Sequence, residues 1–133
     1  MNRKEKTMNT LQALEIGVSQ VELANDPEFS EIMNNFIYAD IYNQGNITHE
    51  LRLLINLVVL TTIQEYHELK KQILHTIEFG INPIKIKESI YQCAPFIGYP
   101  KIVSALSVIN GIFQDQKINL PLENQKTVNE TER

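Results

Sequence analysis

Residues 65 to 75 hold the densest group of side chains that can carry a proton. They read E-Y-H-E-L-K-K-Q-I-L-H, and four polar residues recur in them at steps of three, four and three: Glu65, Glu68, Gln72 and His75. Such steps place side chains on one stripe of a helix. An imidazole beside carboxylates can transfer protons, with His75 as acid or base and Glu68 orienting it or Glu65 sharing the work. The alternative is the solvated border of an amphipathic helix.

Arg52 is the second residue whose position indicates a role. It stands at the start of the apolar run from Leu51 to Ile63, so its guanidinium must reach water or find a carboxylate. A buried structural ion pair, with Glu88 as a candidate partner, is the first interpretation, and binding of an anion is the second. Cys93 has no His or Lys beside it in the sequence that would favour a thiolate, so we interpret it as a small core residue.

The run from Leu51 to Ile63, LRLLINLVVLTTI, is apolar on nearly every side, which is typical of a segment that is buried all round. A strand is the alternative, because several of its residues are β-branched. Thirteen residues without Gly or Pro, flanked by helical patterns, are long for a strand and favour a helix. The sequence therefore predicts a central helix that is buried on all sides.

Apolar residues at helical spacing predict further helices around the central one. The first runs from Leu11 to the breaker Asn25-Asp26-Pro27, where Asp26 is expected to cap a second helix that continues to Ile41. Thr48 is expected to cap the central helix. The later helices are predicted to run from about Gln64 to Phe79, from Pro83 to Pro95 and from Lys101 to Phe113, with Gly80 and Asn82 as stop and cap.

These elements predict an all-α fold of about six helices in one domain, residues 10 to 114. Residues 1 to 9 are polar and predict a flexible N-terminus. Residues 115 to 133 are polar and without periodicity, which predicts a loose tail or an arm that orders on a partner. The central helix carries more apolar surface than a chain of this size is expected to cover, so we expect a symmetric homo-oligomer.

Composition and charge argue against several classes of function. Twelve Lys and Arg against sixteen Asp and Glu give a net charge of −4, without the basic patch that nucleic-acid binding needs. The single cysteine cannot form an intrachain disulfide, and no apolar run reaches the ~20 residues of a membrane-spanning helix. Metal-ligand spacing, a phosphate loop and a nucleophile elbow are all missing from the sequence. We therefore expect a cytoplasmic protein without a metal, a cofactor, or a nucleic-acid or membrane partner.

A set of short motifs follows Thr48 in a recognisable order. They are an Arg near the start of an apolar helix, a helix that ends in Gly, an E-x-x-x-Q helix and a G-x-P turn, here Arg52, Gly80, Glu88 to Gln92 and Gly98 to Pro100. From about Leu11 to Phe113 the chain resembles the carboxymuconolactone decarboxylase family, part of the alkylhydroperoxidase D-like superfamily. The resemblance implies an all-α fold, assembly as a trimer or hexamer, and a small organic acid or lactone as substrate.

The sequence departs from that family at the recognised site. Redox members carry C-x-x-C-x-x-x-H on the fourth helix, and the matching positions here are Glu65, Glu68 and Gln72, which argues against a cysteine-based peroxidase. Decarboxylase members keep a His where Gln72 stands and commonly a Glu where Leu53 stands. His75 lies on the same stripe, ~4.5 Å further along the helix axis.

Two functions are compatible with this resemblance. One is a decarboxylase, a carbon–carbon lyase in which His75 with Glu68 or Glu65 performs acid/base catalysis. In that function Arg52 and Gln72 bind the substrate. The other is a non-catalytic oligomer that binds a small molecule or keeps only the assembly of the family.

Overall fold

The computed structural model describes residues 2–13 and 24–124, and the regular structure in these ranges is helical throughout. The prediction of an all-α fold is confirmed. The elements are α1 (Arg3–Ala13), α2 (Pro27–Asn34), a π-helical segment (Asn35–Ile41), α3 (His49–Thr62), α4 (Tyr66–Phe79), α5 (Pro83–Tyr91), α6 (Ala94–Ile97) and α7 (Tyr99–Asp115). The chain divides into two compact units, residues 1–52 and 53–133, and α3 begins in the first and ends in the second. None of the helices in the described ranges has both the length and the apolar character of a membrane-spanning helix.

Helix α1 begins at Arg3, well before the Leu11 start that apolar spacing predicted. Its start is explained by Asn2, whose side-chain oxygen accepts a hydrogen bond from the backbone N–H of Glu5 at 2.8 Å. The Glu5 carboxylate in turn accepts from the backbone N–H of Asn2 at 3.4 Å, which completes a capping box. Residues 3 to 9, predicted to be flexible, are therefore helical. The predicted continuation of this helix through residues 14–23 lies outside the described residues.

Helix α1 packs on the π-helical segment mainly through polar side chains. The Arg3 guanidinium forms a two-point ion pair with Asp40, with Nη2 2.7 Å from Oδ2 and Nε 3.2 Å from Oδ1. The Thr7 hydroxyl donates to the side-chain oxygen of Asn35 at 2.7 Å, and Thr10 is also buried. Because this contact stripe is polar, a search for apolar periodicity could not reveal it.

The second predicted helix changes its winding after Asn34. The backbone N–H of Tyr42 donates to the carbonyl of Ile37 at 2.9 Å, a bond that spans five residues and marks a π-helix. Tyr38, Ala39 and Tyr42 are buried in the first unit. The two tyrosine rings meet edge to face with centroids 5.2 Å apart, a geometry that aromatic pairs favour.

Predicted helix caps can be compared with the structure at three positions. The Thr48 hydroxyl accepts from the backbone N–H of Leu51 at 3.1 Å, and the Asn82 side chain accepts from that of Ile84 at 2.9 Å. Both caps are confirmed. The cap predicted for Asp26 is wrong, because its side chain forms no cap hydrogen bond. Its ψ of 61° departs from the extended backbone that usually carries such a cap.

Two apolar stripes are exposed, and the second of them belongs to the run that was predicted to be buried on all sides. The first, on α2 and the π-helical segment, is 47–55% exposed and consists of Phe29, Ile32, Phe36 and Ile41. The second, on α3 and the residue that follows it, is 43–64% exposed and consists of Leu51, Ile55, Val59 and Ile63. The segment is a helix as predicted, but burial on all sides is wrong. Its buried face consists of Arg52, Leu53, Leu57 and Thr61. The opposite apolar face is exposed, because a chain of this length buries only part of its surface on folding.

Helix α7 is the element on which the second unit is packed, since α4, α5 and α6 all contact it. The buried apolar side chains of these helices are Leu69, Ile73, Ile86, Ile90, Ile102, Ala105, Ile109 and Phe113. Gly80 ends α4 in the left-handed region at φ 102°, as predicted. Helix α7 starts at Tyr99, earlier than predicted, because Pro100 fits the first turn of a helix. This packing places one border of α4 beside the core of the second unit.

Candidate functional site

His75 is a half-buried residue on that border of α4. Its Nδ1 atom is buried and has no hydrogen-bond partner among the described residues, so Nε2 is the nitrogen left to exchange a proton with a ligand. Burial lowers the pKa of His75 below its usual value of 6.5, and the charge of Lys71 lowers this pKa further. Glu78 and Glu68 oppose the shift but do not reverse it. The imidazole is therefore mainly neutral at pH 7.

Glu68 and Lys71 form an ion pair on the same border. The Lys71 ammonium donates to Oε1 of Glu68 at 2.9 Å, at the i,i+3 spacing that brings side chains together on a helix. The two side chains are 41% and 30% exposed, so solvent screens part of their attraction. Lys71 was missing from the predicted site. Its spacing of three from Glu68 and four from His75 is the signal that would have included it.

The other two predicted residues of this stripe differ in burial. Glu65 lies just before α4, and its side chain is exposed and forms no cap on the helix. Gln72 is half-buried, and its backbone carbonyl accepts from the Thr76 hydroxyl at 2.6 Å. The structure therefore places Glu68, Gln72 and His75 on one half-buried stripe and leaves Glu65 in solvent.

Arg52 is buried in the first unit, with 8% of its surface exposed. The carbon of its guanidinium lies 5.8 Å from the ring centroid of Tyr42, within the range of a cation–π contact. Its Nη2 atom donates to the backbone carbonyl of Gly45 at 3.5 Å. These two contacts are with a ring and a carbonyl, and neither is the carboxylate of the predicted ion pair. Substrate binding by Arg52 stays a prediction.

Cys93 is a buried free cysteine, as the interpretation of it as a core residue expected. Its Sγ atom contacts the carbonyl of Ser89 at 3.7 Å. Burial raises the pKa of the Cys93 thiol, although a hydrogen bond with Thr62 opposes this shift. The thiol therefore keeps its proton at neutral pH and is a poor nucleophile. It lines an apolar cavity of about 320 Å³ beside α3, α5 and α6.

The side chains on α4 offer proton transfer. A half-buried imidazole lies within the electrostatic influence of two carboxylates and one ammonium, and such surroundings tune a histidine for acid or base work. Within residues 2–13 and 24–124, no three His, Cys, Asp or Glu side chains converge in a way that could hold a metal ion.

The part of the chain from α2 into α7 matches a known protein family. Residues 27–110 match the model of the Carboxymuconolactone decarboxylase family. The chain is also similar to the 4-carboxymuconolactone decarboxylase of Acinetobacter baylyi (strain ATCC 33305 / BD413 / ADP1), with 20% identity over 88 residues. That alignment covers 66% of this chain and 66% of the relative, slightly less than two thirds of the relative's own length. Since the family model matches more than half of the residues of this chain, the chain belongs to the carboxymuconolactone decarboxylase family.

Proposed function

We propose that this protein is a carbon–carbon lyase that removes CO₂ from a small carboxylated lactone or organic acid, with His75 as its proton donor. Membership of the family and the name of the curated relative support this substrate class. The observation that carries the proposal is the half-buried His75, whose enclosed Nδ1 leaves Nε2 for proton exchange. Burial beside the Glu68–Lys71 pair distinguishes this imidazole from that of His67 on the same helix, which is exposed.

The proposed reaction needs a proton after the carbon–carbon bond breaks. Loss of CO₂ from a carboxylated lactone leaves the electron pair of that bond on the ring, where the lactone carbonyl takes it up as an enolate. The imidazolium form of His75 gives the Nε2 proton to a ring carbon and then takes a proton from water. Because burial disfavours the charged form, His75 is a stronger acid than an exposed histidine, which favours transfer to carbon.

The neighbouring side chains have distinct roles in this proposal. The charge of Glu68 favours the protonated form of His75, and Lys71 disfavours it. Gln72 is positioned on the same stripe to donate a hydrogen bond to the substrate. Substrate binding by Arg52 stays a prediction from the sequence. Glu65 is exposed, and its predicted share in the catalysis stays a prediction.

We also propose that the protein assembles as a homo-oligomer, a trimer or hexamer as in the family. The exposed stripe of α3 supports this assembly, because apolar positions at four-residue steps form a continuous surface that water solvates poorly. The cytoplasmic location stays a prediction from the sequence.

A non-catalytic binding protein is the second candidate. Two observations favour it: Gln72 stands where the resemblance expects a His, and Lys71 occupies the Glu68 carboxylate. In this function the chain binds a small organic acid without converting it.

A CO₂-release assay with 4-carboxymuconolactone and simple β-keto acids separates the two candidates. We expect release by the wild type and by the control His67→Gln, which changes an exposed histidine of the same helix. His75→Gln should lower the rate by at least about 100-fold, the usual contribution of a positioned acid. Absence of turnover in the wild type together with turnover in Gln72→His would contradict the lyase and favour the binding protein.

A further inference from the structure

A cavity of about 540 Å³ lies beside α5, α7 and the chain segment that follows α7. We call it the α5–α7 cavity. Helix α5 contributes Ile84, Lys87 and Tyr91 to its wall, α7 contributes Asn110, and residues 120–124 complete it. All of these residues belong to the second unit, and none lies on α4. The α5–α7 cavity is therefore distinct from the histidine stripe described above.

Two polar groups in the wall lack the partners that buried polar groups usually have. The side-chain oxygen of Asn110 is buried and accepts no hydrogen bond from any described residue. The ammonium of Lys87 lies 5.7 Å from the ring centroid of Phe113, so its contact in the described chain is an aromatic face. Burial also lowers the pKa of Lys87, a sign that its charge is incompletely solvated. A ligand with an anionic group and a hydrogen-bond donor would satisfy both groups.

The remaining wall limits the rest of the ligand. Ile84, Leu120, Pro121 and Leu122 form its apolar part, and Asn124 adds a polar side chain. The exposed Glu123 adds one negative charge, which disfavours a ligand with a second carboxylate. A cavity of this size, with apolar side chains beside several polar groups, can hold a small molecule.

We propose that the α5–α7 cavity binds a small monocarboxylate that has an apolar body and a hydroxyl group. Its carboxylate contacts Lys87, its hydroxyl donates to Asn110, and its apolar body lies against Ile84 and the segment Leu120–Leu122. Binding at this site is independent of the reaction proposed for His75, because no residue of the cavity wall takes part in that reaction.

Isoleucine-methyl NMR tests this site, because the methyl group of Ile84 lies in its wall. Three probes of nearly equal shape separate the two polar contacts: 3-(4-hydroxyphenyl)propanoate, 3-phenylpropanoate without the hydroxyl, and 3-(4-hydroxyphenyl)propan-1-ol without the charge. The first probe should shift the Ile84 signal and leave in place that of the exposed Ile47, which is not part of the cavity wall. Each of the other two should bind about tenfold more weakly.

Variants assign the contacts to their residues. Lys87→Met should weaken 3-(4-hydroxyphenyl)propanoate about tenfold, whereas the control Lys101→Met, at an exposed lysine, should not. Asn110→Leu should weaken the hydroxylated probe and leave 3-phenylpropanoate unchanged, with a thermal melt to verify that this variant folds. Two results would overturn the proposal whatever the variants do. One is equal affinity of the wild type for all three probes, and the other is an unshifted Ile84 signal with every probe at about 10 mM.

Discussion

The ammonium of Lys71 lies 2.9 Å from the carboxylate of Glu68, about one helical turn before His75. Both charges act on the imidazole, since Lys71 lowers the pKa of His75 and Glu68 raises it. The histidine therefore has an ion pair beside it. A lone carboxylate in that position would have favoured the imidazolium form more strongly. Its proton affinity depends on charges that single substitutions can remove.

Removing the charge of Lys71 should raise the pKa of His75. Lys71→Met deletes a cation that lowers this pKa and frees Glu68, which raises it. An NMR titration of the His75 ring proton measures the change. Lys70→Met is the matched control, because Lys70 is exposed and is not among the charges that act on His75. An unchanged or lower pKa in Lys71→Met would contradict the electrostatic description of the site.

Removing the charge of Glu78 should change the pKa of His75 in the opposite direction. Glu78 is the strongest of the charges that raise the pKa of His75, so Glu78→Gln should lower this pKa further. Glu65→Gln should leave it unchanged, because the exposed Glu65 is not among those charges. A change in the pKa of His75 caused by Glu65→Gln would show that Glu65 acts on this imidazole.

Stability should depend on the protonation of His75. Its pKa in the folded state lies below the unfolded value of about 6.5, so between these two values the unfolded chain binds more protons than the folded chain. The free energy of unfolding should therefore decrease as pH falls through this window. In His75→Gln the decrease should be smaller than in the wild type, as urea unfolding at a series of pH values would show. An equal slope in both proteins would mean that His75 is not buried enough to couple protonation to folding.

Two glycines should respond to alanine with opposite signs. Gly80 has a φ of 102°, which an L-residue adopts only with strain, so Gly80→Ala should destabilise the protein by about 1 kcal/mol. Gly111 lies within α7, and a Cβ there would meet no atom within 4 Å. Gly111→Ala should therefore stabilise by up to about 1 kcal/mol through helix propensity. Thermal unfolding of the two variants measures both effects, and a loss at Gly111 would indicate that its exposed side is covered in the assembly.

The helices with strong local signals could be predicted from the sequence. The end of α4 at Gly80 and the start of α5 at Asn82 follow from residues that act on their own backbone. Helix α1 has a different origin, because the Asn2 capping box and the contact between Arg3 and Asp40 hold it in place. The contact between Arg3 and Asp40 joins residues 37 positions apart and is visible only after the chain has folded, whereas the capping box is a local signal in the sequence.

In the candidate site, too, some features could be predicted from the sequence and others depend on packing. The stripe of Glu68, Gln72 and His75 follows from helical spacing and could be predicted. The burial of His75 could not, because it depends on how α4 packs in the second unit. The proximity of Lys87 and Asn110 in the α5–α7 cavity also depends on packing, here of α5 on α7.

The exposed stripe of α3 should be part of the oligomer interface. Ile55→Lys places a charge in the middle of this stripe and should shift the mass measured by native mass spectrometry toward that of the monomer. Lys101→Glu, at an exposed position of α7, is a control that should keep the wild-type mass. A wild type that is already monomeric, or an Ile55→Lys oligomer of unchanged mass, would show that this stripe is not an interface.

The most direct test of the proposed reaction is the pH dependence of kcat/KM for CO₂ release from 4-carboxymuconolactone. If the imidazolium of His75 is the proton donor, kcat/KM should fall about tenfold per pH unit above the pKa that NMR gives for His75. In Lys71→Met the whole profile should move to higher pH by the same shift as that pKa. A profile that rises with pH, or one that stays in place when the pKa of His75 moves, would contradict His75 as the acid of the proposed reaction.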